Sequence, residues 1–279
     1  MMADFINALI NPDVPFIRYA LIACLLSAIP FGITGSFVVV KRMTYIAGSI
    51  SHTALGGIGL ALFLKSVVGI SLISPIGGAL IFALAAGLII SFTASRGSER
   101  LDTIIGIIWA VGMSAGLIFI HLTPGYIDPM SYLFGNILLL TPANLIIITL
   151  LSILITVIFM LYFNQLTAVS FDADFARTRG IKTVFFETLL VLLVAMTIII
   201  MIPSTGVVLV IALLTIPAAI AGMFAKKMKT LVLLSILICV LLMVLGLAAS
   251  FMLEIPTGST IVLLGGAAYL AARIFRKFL

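Results

Sequence analysis

The sequence predicts an all-α integral membrane protein with about nine transmembrane helices (eight to ten), forming one membrane domain over residues 1–279. Three observations carry that expectation. The chain is 63% hydrophobic and only 9% charged, with a mean hydropathy of +1.41, which excludes a soluble domain. Its apolar residues fall in runs near the roughly 20 residues a helix needs to cross a bilayer. Its basic residues collect in alternate connections between those runs, as expected of a chain threaded back and forth through a membrane.

The apolar runs cover 16–40, 45–64, 71–95, 101–122, 142–163, 183–202, 206–225, 230–252 and 258–275. The second is glycine-rich and reads as a short or broken helix. Residues 123–141, framed by prolines, read as a partly re-entrant outer loop. The longest inner connection is Asn164–Lys182. Lys41, Arg42, Arg96, Arg100, Arg177, Arg179, Lys182, Lys226, Lys227, Lys229, Arg273, Arg276 and Lys277 share one side, and Arg18 and Lys65 the other. The positive-inside rule therefore puts the N-terminus outside and the C-terminus in the cytoplasm. The first residues carry acids and no basic segment, so no cleaved signal peptide is expected. The net charge of +6 does not indicate nucleic-acid binding, because it is dispersed in small groups between apolar runs. Cys24 and Cys239 lie inside apolar runs and read as buried small hydrophobes.

His52 is the first residue with chemical promise. It lies ten residues past Arg42, or about 15 Å along a helix. That is near the middle of a hydrocarbon core about 30 Å thick. Gly48, His52, Gly56 and Gly59 share a helix face, widened by Ser49, Ser51, Thr53 and Gly57. Small residues admit a second backbone, so the imidazole points at protein or a cavity. An ionisable residue at that depth is a functional candidate; the alternative is a neutral histidine bonding a neighbouring carbonyl. Neutral imidazole suits zinc, iron, nickel and copper. A carrier must release its ion, so it wants few ligands. With nine acids in all, oxygen-seeking magnesium and calcium fit poorly.

The second informative stretch is SFDADFARTRGIK, residues 170–182. Asp172 and Asp174 open a candidate short helix and Arg177 and Arg179 lie near its end, as the macrodipole favours. Gly180 supplies a stop. Such a helix on the inner face would meet a soluble partner or the lipid surface; the plainer alternative is a solvated connection. Weaker candidates are His121 and Asp128, for ion access at the outer surface, and Glu254, which reads as a helix end. Glu187 reads as structural, snorkelling or paired near the inner surface. Glu99 and Asp102 balance Arg96 and Arg100. Pro217 frees a backbone carbonyl and can kink the seventh run. No GxxxxGK[ST], HExxH or GxSxG pattern occurs, so any ATP is hydrolysed on another chain and the corresponding hydrolase motifs are missing.

Five ordered segments carry a family resemblance: GSFVVVKRMTYIAGSISHTALGG at 35–57, LTPGYIDPMSYLFGNIL at 122–138, FDADFARTRGI at 171–181, GVVLVIALLTIPAAIAG at 206–222 and EIPTGSTIVLL at 254–264. The chain resembles the permease subunits of ABC importers for zinc, manganese or iron (the ABC-3 family), related to the type II importer permeases. The resemblance implies a homodimer with a pore at its interface, in the inner (cytoplasmic) membrane of a prokaryote. It implies two cytoplasmic ATPase subunits, which bind the ATP. They would dock on a coupling helix at about 172–181, formed by Asp172, Asp174, Phe175, Ala176, Arg177, Arg179 and Gly180. An extracytoplasmic metal-binding protein would deliver the ion, zinc or manganese, and no cofactor would be permanently bound. His52 matches the family's membrane histidine, while Gly48, Gly56, Gly57, Gly59 and Pro217 would pack the pore. Family members often carry an aspartate four residues before that histidine, where this chain has Gly48. Either the ion is held with one ligand fewer from each copy, or another group substitutes. Competing readings are an iron-chelate or vitamin-type ABC permease, a secondary transporter and an intramembrane enzyme. Inverted repeats and mid-membrane acids would mark the secondary transporter, and neither is apparent. No paired acids or Ser/His set marks an enzyme.

Overall fold

Nine apolar helices are long enough to cross a membrane among the described residues of the computed structural model, namely 15–96, 100–125 and 140–277. They are α1 (Pro15–Val40), α2 (Thr44–Phe63), α3 (Pro75–Arg96), α4 (Leu101–Leu122), α5 (Pro142–Phe171), the two halves of α7 (Thr183–Phe224), α8 (Met228–Leu253) and α9 (Thr257–Arg276). A short α6 (Ala173–Thr178) lies between α5 and α7. The chain is thus the polytopic all-α protein its composition predicts.

Helix α7 is the hub, packing on α1, α2, α3, α5, α8 and α9. Gly206 divides it, with φ 75° and ψ 167°, a conformation open to glycine at little cost. The break falls between the sixth and seventh apolar runs, where the sequence separates them. Pro217 was the expected interruption, yet the backbone there stays helical and the residue is buried.

In a bilayer the lipid is as apolar as the helices, so association rests on close packing and polar bonds. Gly32 of α1 lies against the backbone of Ile236 on α8, and Gly35 lies against the carbonyl of Leu214 on α7. Ser36 and Ser235 bond at 3.0 Å across the α1–α8 seam. Cys24 and Cys239 are free and buried, as expected.

Two local expectations are corrected. Helix α2 is not broken: it runs unbroken through Phe63 and ends in a wider turn, Leu64–Val68, closed by Gly69 at φ 77°. Glycine's helical cost, about 1 kcal/mol each, is offset because α2 is buried and the bare backbone lets α3 and α4 approach. The inner connection does not begin at Asn164, since α5 stays helical to Phe171 after a kink at Tyr162. Most of the expected outer loop, 126–139, lies outside the described residues.

Candidate functional site

His52 lies eight residues into α2 and Trp109 eight residues into α4, each about 12 Å from its helix start. The two rings stack, with centroids 4.6 Å apart and planes inclined by 19°. Their meeting follows from how α2 and α4 are joined. A Cβ at Gly112 would sit 2.7 Å from Thr53 Cα, and one at Gly56 would sit 2.7 Å from the Gly112 carbonyl oxygen. Only bare backbone permits that approach. The Ser49 hydroxyl donates to the Ile105 carbonyl at 3.0 Å, and the Thr53 hydroxyl donates to the Ile108 carbonyl at 3.1 Å. Together these contacts fix the segment of α4 that carries Trp109.

The imidazole is half-buried. Nδ1 is enclosed and has no hydrogen-bond partner, which leaves Nε2 on the open side of the ring. The alternative of a histidine bonded to a neighbouring carbonyl is therefore not what the geometry shows. Among the described residues no group of three or more His, Cys, Asp or Glu gathers. Among those residues His52 thus offers an isolated nitrogen and no closed cage, an arrangement suited to weak, transient binding.

Gly48 faces the same indole: a Cβ there would stand 3.1 Å from the Trp109 ring. The space beside residue 48 is thus bordered by an aromatic side chain from another helix. Trp109 is the neighbour of His52 that sequence reasoning missed. It is the chain's one tryptophan, and at mid-run in an apolar helix it reads as ordinary packing. Its spacing ahead of Gly112 and Gly116 was the available signal.

The other candidates fall elsewhere. His121 is exposed in the last turn of α4 and is not brought to His52. Asp128 lies outside the described residues. Gly57 meets Gly78 of α3, and Gly59 meets Gly116 of α4. Glu187 is paired, accepting a 2.6 Å ion pair from Lys41. That contact joins the α1–α2 turn to the first turns of α7. Beside it, the ends of α1, α2, α3, α4 and α7 enclose a cavity of about 270 Å³ lined by Lys41, Ser91, Asp102 and Glu187.

Helix α6 forms as its sequence suggests. The Asp172 carboxylate caps it, accepting from the Phe175 amide at 2.9 Å. At the other end Ile181 N–H donates to the Ala176 carbonyl and Gly180 N–H to the Arg177 carbonyl. With Gly180 at φ 80°, that is a Schellman closure. Asp174 sits in the first turn. Ala176 is buried, Phe175 is exposed, and the Arg179 guanidinium lies 5.2 Å from the Phe175 ring centre. Arg177 reaches Thr183 at the start of α7 at 3.5 Å.

The apolar helices packed around a half-buried imidazole make this a polytopic membrane protein. The chain belongs to the ABC 3 transport family, whose model matches residues 13–276. It is 35% identical to a Chlamydia pneumoniae protein named "probable metal transport system membrane protein", over 92% of this chain and 87% of that one. It is 32% identical to the manganese import system permease protein ScaB of Streptococcus gordonii, over 98% and 95% of the two chains. Among solved structures it is similar to PsaBC of Streptococcus pneumoniae, with a TM-score of 0.85 and 29% identity, over 98% and 95% of the chains.

Proposed function

We infer that this chain is the membrane permease of an ABC importer that moves a divalent transition-metal ion into the cytoplasm. The observation that carries the inference is His52, a half-buried imidazole eight residues into an apolar spanning helix with Nδ1 unpartnered, in a chain whose relatives are named for metal and manganese transport. The ion is cargo, so a single weak ligand from each chain is an advantage. We propose that a second copy supplies the other imidazole across a shared path, giving two nitrogens around an axis.

Two ATPase subunits would hydrolyse the ATP, docking through Phe175, Arg177 and Arg179 of α6, and an extracytoplasmic binding protein would deliver the ion. The concentration of basic residues on one side supports an orientation with α6 in the cytoplasm. A prokaryotic cytoplasmic membrane fits these partners.

The test is uptake of radioactive zinc or manganese into vesicles holding the assembled importer, with permease quantity held equal. His52→Ala should insert and fold, because α2 stays held by the backbones of α3 and α4 and only the stack on Trp109 is lost, yet lose uptake at limiting metal by roughly tenfold or more. His52→Gln keeps hydrogen bonding but lacks the ligand nitrogen, so it should fail as alanine does. Wild-type uptake by both variants would remove His52 from the path.

A further inference from the structure

We propose that Trp109 tunes metal specificity in this permease by holding the His52 ring and crowding the position beside it, where glycine leaves no carboxylate. The proposal rests on the permease role inferred above, and it concerns what that path will accept. A metal-binding histidine is ordinarily oriented by a hydrogen bond from its second ring nitrogen to a carboxylate or carbonyl. His52 has no such bond: Nδ1 is enclosed and without a partner. Orientation comes instead from the indole stacked on the imidazole at 4.6 Å. The backbone that carries the indole is itself held, since Ser49 and Thr53 bond the carbonyls of Ile105 and Ile108 just ahead of it.

The same side chain crowds position 48. Its ring would lie 3.1 Å from a Cβ there, so a side chain added at 48 presses on the indole and the ring must give by a few tenths of an ångström to admit it. With glycine at 48, each chain presents at this place, among the described residues, imidazole nitrogen alone. In a nitrogen-only site manganese binds most weakly of the common divalent first-row ions and zinc far more tightly; carboxylate oxygen is what suits manganese. The geometry therefore favours zinc or another nitrogen-seeking ion. Manganese, which the name of the Streptococcus gordonii relative specifies, is disfavoured.

The test is metal binding by purified full-length permease in lipid nanodiscs, with radioactive zinc as probe and unlabelled manganese as competitor. Because the chain has one tryptophan, zinc arriving on His52 should also change the indole emission, and His52→Ala should abolish that change. Wild type should need roughly a hundredfold more manganese than zinc for half displacement. Trp109→Ala should weaken zinc binding by roughly tenfold, and Trp109→Phe, which still stacks, should restore most of it. Adding Gly48→Asp to Trp109→Ala should narrow the zinc preference by roughly tenfold.

The proposal is overturned if manganese displaces zinc on equal terms in the wild type, if bound zinc leaves the emission unchanged, or if Trp109→Phe binds as poorly as Trp109→Ala. Should Trp109→Ala fail to fold, the wild-type competition and emission and the Trp109→Phe variant decide; the phenyl ring still stacks, so that variant should bind zinc nearly as tightly as the wild type. If the wild type binds neither ion, the metal path itself is wrong and this proposal goes with it.

Discussion

Helix α2 and helix α6 are held in place by opposite means. Helix α2 has almost no exposed surface along its small-residue stretch, and its position is fixed from outside by the backbones of α3 and α4. Helix α6 is largely exposed and is fixed from within, by the Asp172 cap and the Gly180 closure. A helix set by its neighbours cannot move alone, which suits a site that must keep an imidazole aligned. A helix set by its own ends can be pushed as a unit, which suits a surface that receives a partner. Substitutions at the confined glycines of α2 should therefore act on the whole fold, and substitutions on α6 on coupling.

The largest expected effect is at Gly57. An added side chain there runs into the Gly78 backbone, which cannot rotate away. Gly57→Val should cost about 3 kcal/mol or more and sharply lower the permease recovered folded in detergent. Gly106 on α4 is the control, because nothing lies within 4 Å of a Cβ there. Gly106→Ala should be neutral or slightly stabilising in the same thermal assay. Equal losses at both positions would show that α2 is not specially confined.

At Gly180 a Cβ likewise meets nothing within 4 Å, so the whole penalty comes from φ 80°. Gly180→Val should cost about 1–2 kcal/mol, confined to the end of α6. Thermal stability of the permease should barely shift, while transport-stimulated ATP hydrolysis in reconstituted vesicles should fall. Gly180→Asn, which tolerates this conformation better, should recover part of it. Next in size is Asp172→Ala, which removes the cap at a cost of about 1 kcal/mol. It should reduce coupling without affecting insertion. Normal coupling by both Gly180→Val and Asp172→Ala would argue against α6 as the contact.

The same contrast explains what was legible in the sequence. The spans were, because long apolar runs have few other uses. Helix α6 was too, because caps are local: Asp172 and Gly180 act within a few residues of themselves. The continuity of α2 was not, since glycine's effect on a helix changes sign with what packs against it, and Gly78, Gly112 and Gly116 are distant in the chain. The extension of α5 to Phe171 was hidden because Asn164, Gln165 and Thr167 interrupt the apolar run without interrupting the helix. His52 was identified from its depth, but its setting was not. That Trp109 covers Gly48 is a tertiary fact, invisible in either segment alone.

The smallest expected effect bears most directly on how the two regions communicate. Lys41 lies in the turn leading into α2, and Glu187 one turn into α7, which Arg177 of α6 also touches through Thr183. The pair is thus a short bridge from the exposed helix to the confined one. Its side chains are 19% and 44% exposed, so water screens it and its net contribution should not exceed about 1 kcal/mol. Lys41→Met and Glu187→Gln should each lower the thermal midpoint by a few degrees at most. A double-mutant cycle isolates the bridge itself, and the double variant should lose less than the two singles added together. The functional cycle is the more telling comparison. If the bridge carries motion, both singles should slow transport while ATP hydrolysis continues, and the double should be no slower than either. Additive losses in transport would mean that the two charges serve separate ends, and that α6 reaches α2 by packing through α7 instead.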